Sequence, residues 1–148
     1  MPTLRLAKSW GKTNMKREEM TEVFHHFMDT LKSNTSVFYV GHGQHWIADC
    51  CMVEFDVFPE GYDYAGISNT ISIKCILSGE KRKGNGTKVM NLLCEAADAI
   101  GIDLSLYPKP LGSDADRLRK AELVKWYKKF GFKTINGKMR RISKNKML

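Results

Sequence analysis

Residues 71–101 hold a β-type run, a glycine-rich loop and an amphipathic helix in direct succession. The helix is predicted over residues 87–100, because apolar side chains recur there at the spacing of one helix face. These apolar positions are Val89, Leu92, Leu93, Ala96, Ala97 and Ile100. Gly101 stands where helices commonly end in a left-handed residue, and the β-type run IDLSLY follows it. A strand–helix–strand unit of this kind requires a sheet on which the helix can pack its apolar face.

Further strands and helices are predicted on both sides of this unit. Asn136 and Gly137 separate two short β-like runs and form the strongest two-residue hairpin signal. The other predicted strands are residues 3–9, 36–40, 45–57 and 67–77, and the other predicted helices are residues 14–33 and 114–130. This order predicts an α/β (α+β) fold, with one mixed, mostly antiparallel, twisted sheet of about seven strands and helices on both faces. A chain of 148 residues is expected to form one domain, residues 1–148.

Cysteine usage and hydropathy bear on the compartment and on metal binding. The four cysteines, Cys50, Cys51, Cys75 and Cys94, lie within apolar runs and form neither a CxxC pair nor a Cys/His pair at zinc spacing. We therefore expect buried, reduced thiols and no metal. The N-terminal MPTLRLAKSW lacks the apolar stretch of a signal peptide, and no run approaches the ~20 residues of a membrane span. The expected location is the cytoplasm, with no membrane partner.

Positive charge is concentrated in the second half of the chain. Residues 1–80 carry 7 Lys/Arg and 10 Asp/Glu, whereas residues 81–148 carry 17 and 6. Such an asymmetry indicates an anionic partner, which can be nucleic acid, a membrane surface or a phosphate-rich small molecule. A solvated basic face without a ligand is the alternative interpretation.

The loop KRKGNGT, residues 81–87, has the features of an anion site. Gly84 and Gly86 allow a tight turn, and the helix that follows offers unpaired amides and the positive end of its dipole. Three cations precede these glycines, namely Lys81, Arg82 and Lys83. Asn85 and Gly86 stand where a Walker A loop requires Lys and Ser/Thr, and Val89 stands where a dinucleotide fingerprint requires a third glycine. The pyrophosphate of coenzyme A fits the loop better than ATP or NAD.

This loop resembles motif A of the GNAT superfamily of N-acetyltransferases, whose pattern is Q/R-x-x-G-x-G/A between the fourth strand and the third helix. Lys81 occupies the Q/R position, which keeps a donor but loses the planar geometry. Downstream, KWYKKFGF is similar to the family's FYxxxGF element, with Tyr127 as its Tyr and Gly131 and Phe132 as its GF pair. The Asn-x-x-Ala that often precedes this Tyr is absent. The element order resembles the family over the whole chain.

The resemblance implies direct transfer of an acetyl or other short acyl group from acetyl-CoA to a primary amine. It implies that the pantetheine arm pairs with the backbone near Ile76, Leu77 and Ser78. The pyrophosphate would be bound by the loop that comprises Lys81, Arg82, Lys83, Gly84, Asn85, Gly86 and Thr87. Tyr127 would be the general acid that protonates the departing thiolate. A packing role beside Trp126 and Phe130 is the alternative interpretation of Tyr127.

The general base is left open by the sequence. Thr70 occupies the position where some family members carry a glutamate, and a threonine cannot serve as a base. Glu54 on the predicted third strand, His45 at its start and Asp63 in the following loop are candidates. An ordered chain of water molecules is an equal alternative.

Two other functions remain as alternatives at this point. The basic second half, with Trp126, Tyr127 and the tail KMRRISKNK, could bind nucleic acid through phosphates, although no helix-turn-helix, RNP or zinc pattern occurs. A non-catalytic CoA-binding module is the other. The acceptor can be a polyamine, an antibiotic-like amine, a peptide N-terminus or a protein lysine, and the weakly acidic first half favours a cationic acceptor. The oligomeric state is also open, and a homodimer is one of the states allowed.

Overall fold

The computed structural model describes residues 17–56, 69–78, 84–109 and 120–145. Within these ranges three helices and seven strands follow one another along the chain. In chain order they are α1 (Arg17–Asn34), β1 (Val37–Gly41), β2 (Gln44–Ile47), β3 (Cys51–Asp56), β4 (Thr70–Ser78), α2 (Asn85–Ile100), β5 (Asp103–Leu106), α3 (Lys120–Lys128), β6 (Lys133–Ile135) and β7 (Lys138–Arg141). The strand predicted at residues 3–9 lies outside the described residues.

The seven strands form one sheet in the order β1-β2-β3-β4-β5-β7-β6. Only β4 and β5 pair in parallel among these strands, and helix α2 connects them, as a parallel crossover requires. The other neighbours pair antiparallel. The predicted fold class, a mixed and mostly antiparallel sheet of about seven strands with packed helices, is confirmed. The arrangement is consistent with a GNAT-like fold.

Helices α1 and α2 pack against each other and cover one face of the sheet. Phe24 and Phe27 of α1 lie edge to face on Phe55 of β3, with ring centroids 5.6 and 5.7 Å apart. Most of the apolar stripe predicted for α2 is buried, with Leu92 and Ile100 at its partly exposed margins. Burial of each large apolar side chain in such a core contributes about 1.5–3 kcal/mol.

The single strand predicted at residues 45–57 was wrong, because the chain reverses within it. Ala48 and Asp49 both adopt left-handed backbone angles, each with φ of 55°. The turn pairs Ile47 with Cys51 and so creates two antiparallel strands, β2 and β3. A non-glycine residue such as Ala48 carries no sequence signal for a positive φ, and the continuous apolar run concealed the turn.

Two glycine-based predictions are confirmed. Gly101 ends α2 with φ of 77° and donates its N–H to the Ala97 carbonyl oxygen at 2.9 Å. Asn136 and Gly137, with φ of 50° and 81°, form the turn between β6 and β7. Both residues of this turn have positive φ, as expected for the primed turns that match strand twist.

The four thiols are free, but their burial differs from the prediction. Cys51 and Cys94 are buried, whereas Cys50 and Cys75 are partly exposed. Cys50 lies in the turn before β3, and Cys75 lies where β4 has lost its pairing with β5. No helix in the described ranges combines the length and apolar character that a membrane crossing demands.

Candidate functional site

Strand β4 continues past the end of its neighbour β5. Their pairing stops at Ile73 and Leu106, whereas β4 pairs with β3 as far as Ser78. In the described part of the chain, residues 74–78 therefore have a partner strand on the β3 side only. The register between β3 and β4 also shifts at Glu54, which is the mark of a bulge that bends the strand. Beyond Ile73 and Leu106, the described residues of β4 and β5 no longer pair with each other.

The predicted pantetheine contacts, Ile76, Leu77 and Ser78, lie on this part of β4. Leu77 is 42% exposed, although it belongs to a central strand of the sheet. Ile76 pairs with Val53 and packs partly against the core. This segment of β4 therefore combines a strand edge that no longer pairs with β5 and an exposed side chain, that of Leu77.

Gly84 is the N-cap residue of helix α2, and its backbone is left-handed with φ of 78° and ψ of 5°. An added Cβ at Gly84 would meet no atom within 4 Å, so the backbone conformation and not the available space requires glycine. Gly84 offers no side chain to cap the first turn, and its carbonyl oxygen accepts a hydrogen bond from the N–H of Lys88 at 3.0 Å. Gly84 and Thr87 are exposed. This start of a helix favours an anion through its amides and dipole.

Helix α3 reaches the start of α2 through Trp126. An ideal Cβ at Gly86 would lie 3.6 Å from Cζ2 of the Trp126 indole. The indole also packs edge to face on Tyr127 and Phe130, with each pair of ring centroids 5.0 Å apart. The glycine loop and the helix that carries Tyr127 are therefore in direct contact.

Tyr127 is 8% exposed and its ring lies 5.8 Å from that of Phe132. Burial, followed by the Cys75 thiol, raises the pKa of Tyr127 to about 12. The phenol therefore keeps its proton at neutral pH and can donate a hydrogen bond. A thiol has a pKa of about 8.5, so complete transfer of the proton to a free thiolate is unfavourable unless the site lowers the pKa of Tyr127.

Glu54 lies on β3 and is the register partner of Cys75 on β4. Its side chain is 20% exposed and accepts a hydrogen bond from Nε2 of Gln44 at 3.2 Å. The Lys74 ammonium lies 3.3 Å from its other oxygen. Burial and the Glu54 carboxylate raise the pKa of the Cys75 thiol. The Cys75 thiol also raises the pKa of Tyr127, as a contribution smaller than that of burial.

His45 is not part of this group. It lies on β2 and pairs with Val53, so it shares the face of Val53, while the next residue, Glu54, points to the opposite face. Thr70, at the beginning of β4, has its hydroxyl 2.6 Å from that of Ser105. Asp63 and the three loop cations, Lys81, Arg82 and Lys83, lie outside the described residues.

Sequence reasoning missed Lys74 and Cys75. Lys74 is 65% exposed at its side chain and interrupts the otherwise apolar run ISIKCIL. A single cation in such a run was the signal that one position of the strand faces solvent. Across the described stretches, no set of three or more His, Cys, Asp or Glu side chains is arranged to hold a metal ion.

No protein-family model matches the chain, and no curated protein matches it. Among solved structures, the chain is similar to the crystal structure of the anti-CRISPR protein AcrVA5, with a TM-score of 0.44 and 15% sequence identity. The similarity covers 72% of this chain and 96% of AcrVA5. A likeness of this strength assigns no function.

Proposed function

We propose that this protein is an acyl-CoA-dependent N-acyltransferase that transfers an acetyl group from acetyl-CoA to a primary amine. One observation supports this proposal above the others: the part of β4 that runs beyond its pairing with β5, residues 74–78, precedes the left-handed Gly84 at the start of α2. An extended amide-containing arm suits a strand edge, and a pyrophosphate suits a helix start.

The residues present fit coenzyme A. The backbone of residues 76–78 would pair with the pantetheine arm, and the amides of residues 84–87 would bind the pyrophosphate with help from Lys81, Arg82 and Lys83. Gly84 is exposed and leaves open space where another residue would place a side chain. Acetyl-CoA, when bound, supplies the activated acyl group.

The chain's own groups would handle two protons. Glu54 would accept the proton that the attacking amine loses as its nitrogen bonds to the acyl carbon. Tyr127 would donate its hydroxyl hydrogen to the sulfur as the carbon–sulfur bond breaks. A backbone N–H on the part of β4 beyond its pairing with β5 would stabilise the negative charge on the acyl oxygen, and one such donor is worth ~2.7–4 kcal/mol. The acidic first half of the chain supports a cationic amine as acceptor.

The melting temperature with and without acetyl-CoA tests the cofactor, with ATP and NAD as controls. Ligand at 100 times its Kd adds about 2.7 kcal/mol, which shifts the melting temperature of a domain of this size by roughly 5–10 °C. Gly84→Asp places a carboxylate at the proposed pyrophosphate site and should abolish the shift. Gly137→Asp is the matched control, because Gly137 also has positive φ and open space around it.

Release of free CoA thiol in the presence of an amine tests the transfer. The amines are spermidine, an aminoglycoside, a peptide with a free N-terminus and a lysine peptide with a blocked one. A thermal shift without CoA release from any of them would favour a CoA-binding module. An unchanged melting temperature at millimolar acetyl-CoA would refute the proposal.

A further inference from the structure

Strand β1 (Val37–Gly41) forms one edge of the described sheet, with β2 as its partner on one side. Its central residues are exposed on both faces of the strand: Phe38 is 74%, Tyr39 is 64% and Val40 is 60% exposed. The strand contains neither a charged residue nor a proline. An apolar edge of this kind offers backbone groups to the strand of another chain, and native proteins usually protect their edges against such pairing.

The opposite edge of the sheet is protected in the usual ways. Strand β6 (Lys133–Ile135) has only three residues and begins with an exposed lysine. Short length and a charged side chain both discourage pairing with a strand of another chain. Of the two edges that the described strands form, β1 is the one without these features, so it is the edge that favours association.

The hydrogen bonds between β1 and β2 determine which backbone groups point to the open edge. Ala48 donates its N–H to the Ser36 carbonyl oxygen at 2.9 Å. Hydrogen-bonded and non-hydrogen-bonded pairs alternate along an antiparallel ladder, so Phe38, two residues after Ser36, also bonds to β2. The N–H and C=O groups of Val37 and Tyr39 therefore point away from β2, to the open edge. The register irregularity of β1 comes after Tyr39 and leaves this segment regular.

We propose that two copies of this protein pair through β1, antiparallel and around a two-fold axis at Phe38. Val37 of one copy then exchanges two backbone hydrogen bonds with Tyr39 of the other copy, and the reverse pair forms two more. The two Phe38 side chains face each other at a non-hydrogen-bonded position, where cross-strand side chains lie closest. Since β1 carries no charge, pairing it with an identical strand brings no like charges together. A two-fold contact of this kind closes on itself and ends at the dimer.

Phe38 gains the most from this pairing. Within one copy, it is the register partner of the partly exposed Trp46, and it does not belong to the hydrophobic core of the described residues. In the dimer, Phe38 lies between Trp46 of its own copy and Phe38 of the other copy. Burial of an exposed ring and its contact with a second ring both favour association. This association is independent of the proposed acyl transfer.

Sedimentation equilibrium and amide hydrogen exchange of the full chain, from micromolar to near-millimolar concentration, test the proposal. We expect a monomer–dimer equilibrium in which the amides of Val37 and Tyr39 exchange more slowly as the dimer forms. The amide of Phe38, which is bonded to β2, should be protected at every concentration. A protein that stays monomeric throughout would overturn the proposal. If Val37 and Tyr39 were protected in that monomer, another segment of the chain would occupy the edge instead of a second copy.

Charged substitutions at position 38 test the two-fold register. Phe38→Lys and Phe38→Glu should each raise the Kd of dimerisation about tenfold or more, because an aromatic pair is lost and like charges face each other. An equimolar mixture of the two variants should associate more tightly than either alone, since opposite charges then meet across the axis. Ile135→Lys, at an exposed position of the other edge, is the control and should dimerise as the original protein does.

Two results with these variants would overturn the proposal. One is dimerisation of Phe38→Lys at the affinity of the original protein, and the other is a mixture that associates no more tightly than its components. The exchange rates of Val37 and Tyr39 in the original protein decide the matter even where a variant does not fold.

Discussion

The Trp126 indole covers Gly86, with 3.6 Å between Cζ2 of the indole and the position that a Cβ at Gly86 would occupy. This is ordinary van der Waals contact, so the first turn of α2 has room for one methyl group and little more. The contact joins α3, which carries Tyr127, to the glycine loop. It makes the geometry of the candidate site dependent on the size of the residue at position 86.

Substitutions at Gly86 test how large a side chain the Trp126 indole allows at this position. Gly86→Ala should stabilise the protein by about 0.5 kcal/mol, because alanine favours the helix and its methyl group fits. Gly86→Leu should destabilise it by about 1–3 kcal/mol, since the larger side chain displaces the indole. Urea denaturation measures both, with Asn91→Leu at an exposed position of α2 as the control. If Gly86→Leu were as stable as the original protein, the close contact between the Trp126 indole and Gly86 would be contradicted.

Tyr127→Phe tests the proposed proton donor. We expect kcat for acetyl transfer to fall by about 10²–10⁴, the usual range for loss of a general acid. The thermal shift with acetyl-CoA should persist, because the ring and its packing on Trp126 and Phe132 remain. Tyr39→Phe, a change of the same kind on β1, should leave turnover unaffected. Normal turnover in Tyr127→Phe would exclude the catalytic role.

Glu54→Gln tests the proposed base against a structural role. The variant keeps the shape of the side chain but cannot accept a proton, so kcat should fall by about 10²–10⁴. Lys74→Met is the control, because it removes the same ion pair. Since the Lys74 side chain is 65% exposed, that pair is worth no more than about 0.2–1 kcal/mol. If both variants lost turnover equally, the ion pair and not the base would be responsible.

Asp98 should make stability fall in acid. Burial opposes its charge, but hydrogen bonds from Arg141 at 2.9 and 2.8 Å and from the Lys144 N–H hold its pKa below 3.8. A lowered pKa contributes stability that is present above 3.8 and is lost as pH falls through the folded-state value. Urea denaturation at intervals from neutral pH to about pH 3 measures this loss.

The matched variants for this prediction are Asp98→Asn and Glu95→Gln. Asp98→Asn should cost about 3–5 kcal/mol at pH 7, because the Arg141 side chain, which is 4% exposed, loses its charge partner. The stability of Asp98→Asn should also fall less in acid than that of the original protein. Glu95 is exposed, and its substitution should change neither quantity. If the stability of Asp98→Asn fell in acid as much as that of the original protein, another carboxylate would be responsible for the loss.

His45 should cause a second loss of stability, at a higher pH than the loss that Asp98 causes. Its pKa is lowered from 6.5, chiefly by burial, so the unfolded chain binds this proton more readily than the folded one. Its contribution to stability is complete above about 6.5 and is lost as pH falls through the folded-state pKa. Melting temperatures from about pH 8 to about pH 5 should show this loss, and His45→Phe should reduce it. His42→Gln, at an exposed turn residue, should keep the dependence.

The sequence predicted the features that depend on neighbouring residues. The apolar stripe of α2 predicted a buried helix face, and Gly101, Asn136 and Gly137 marked reversals that need positive φ. These predictions succeeded because amphipathic periodicity and backbone sterics act over a few residues. Ala48 escaped the same reasoning, since its side chain has no preference for the left-handed conformation that it adopts.

By itself, the sequence determined the order of strands and helices around the glycine loop, and with it the fold class. Only the tertiary structure decided that Glu54 aligns with Cys75, that His45 points to the other face, and that Trp126 covers Gly86. Each of these depends on strand register, on a bulge or on how one helix packs on another. Such relationships join residues that are distant along the chain, and a shift of one residue reverses the face that a strand side chain occupies.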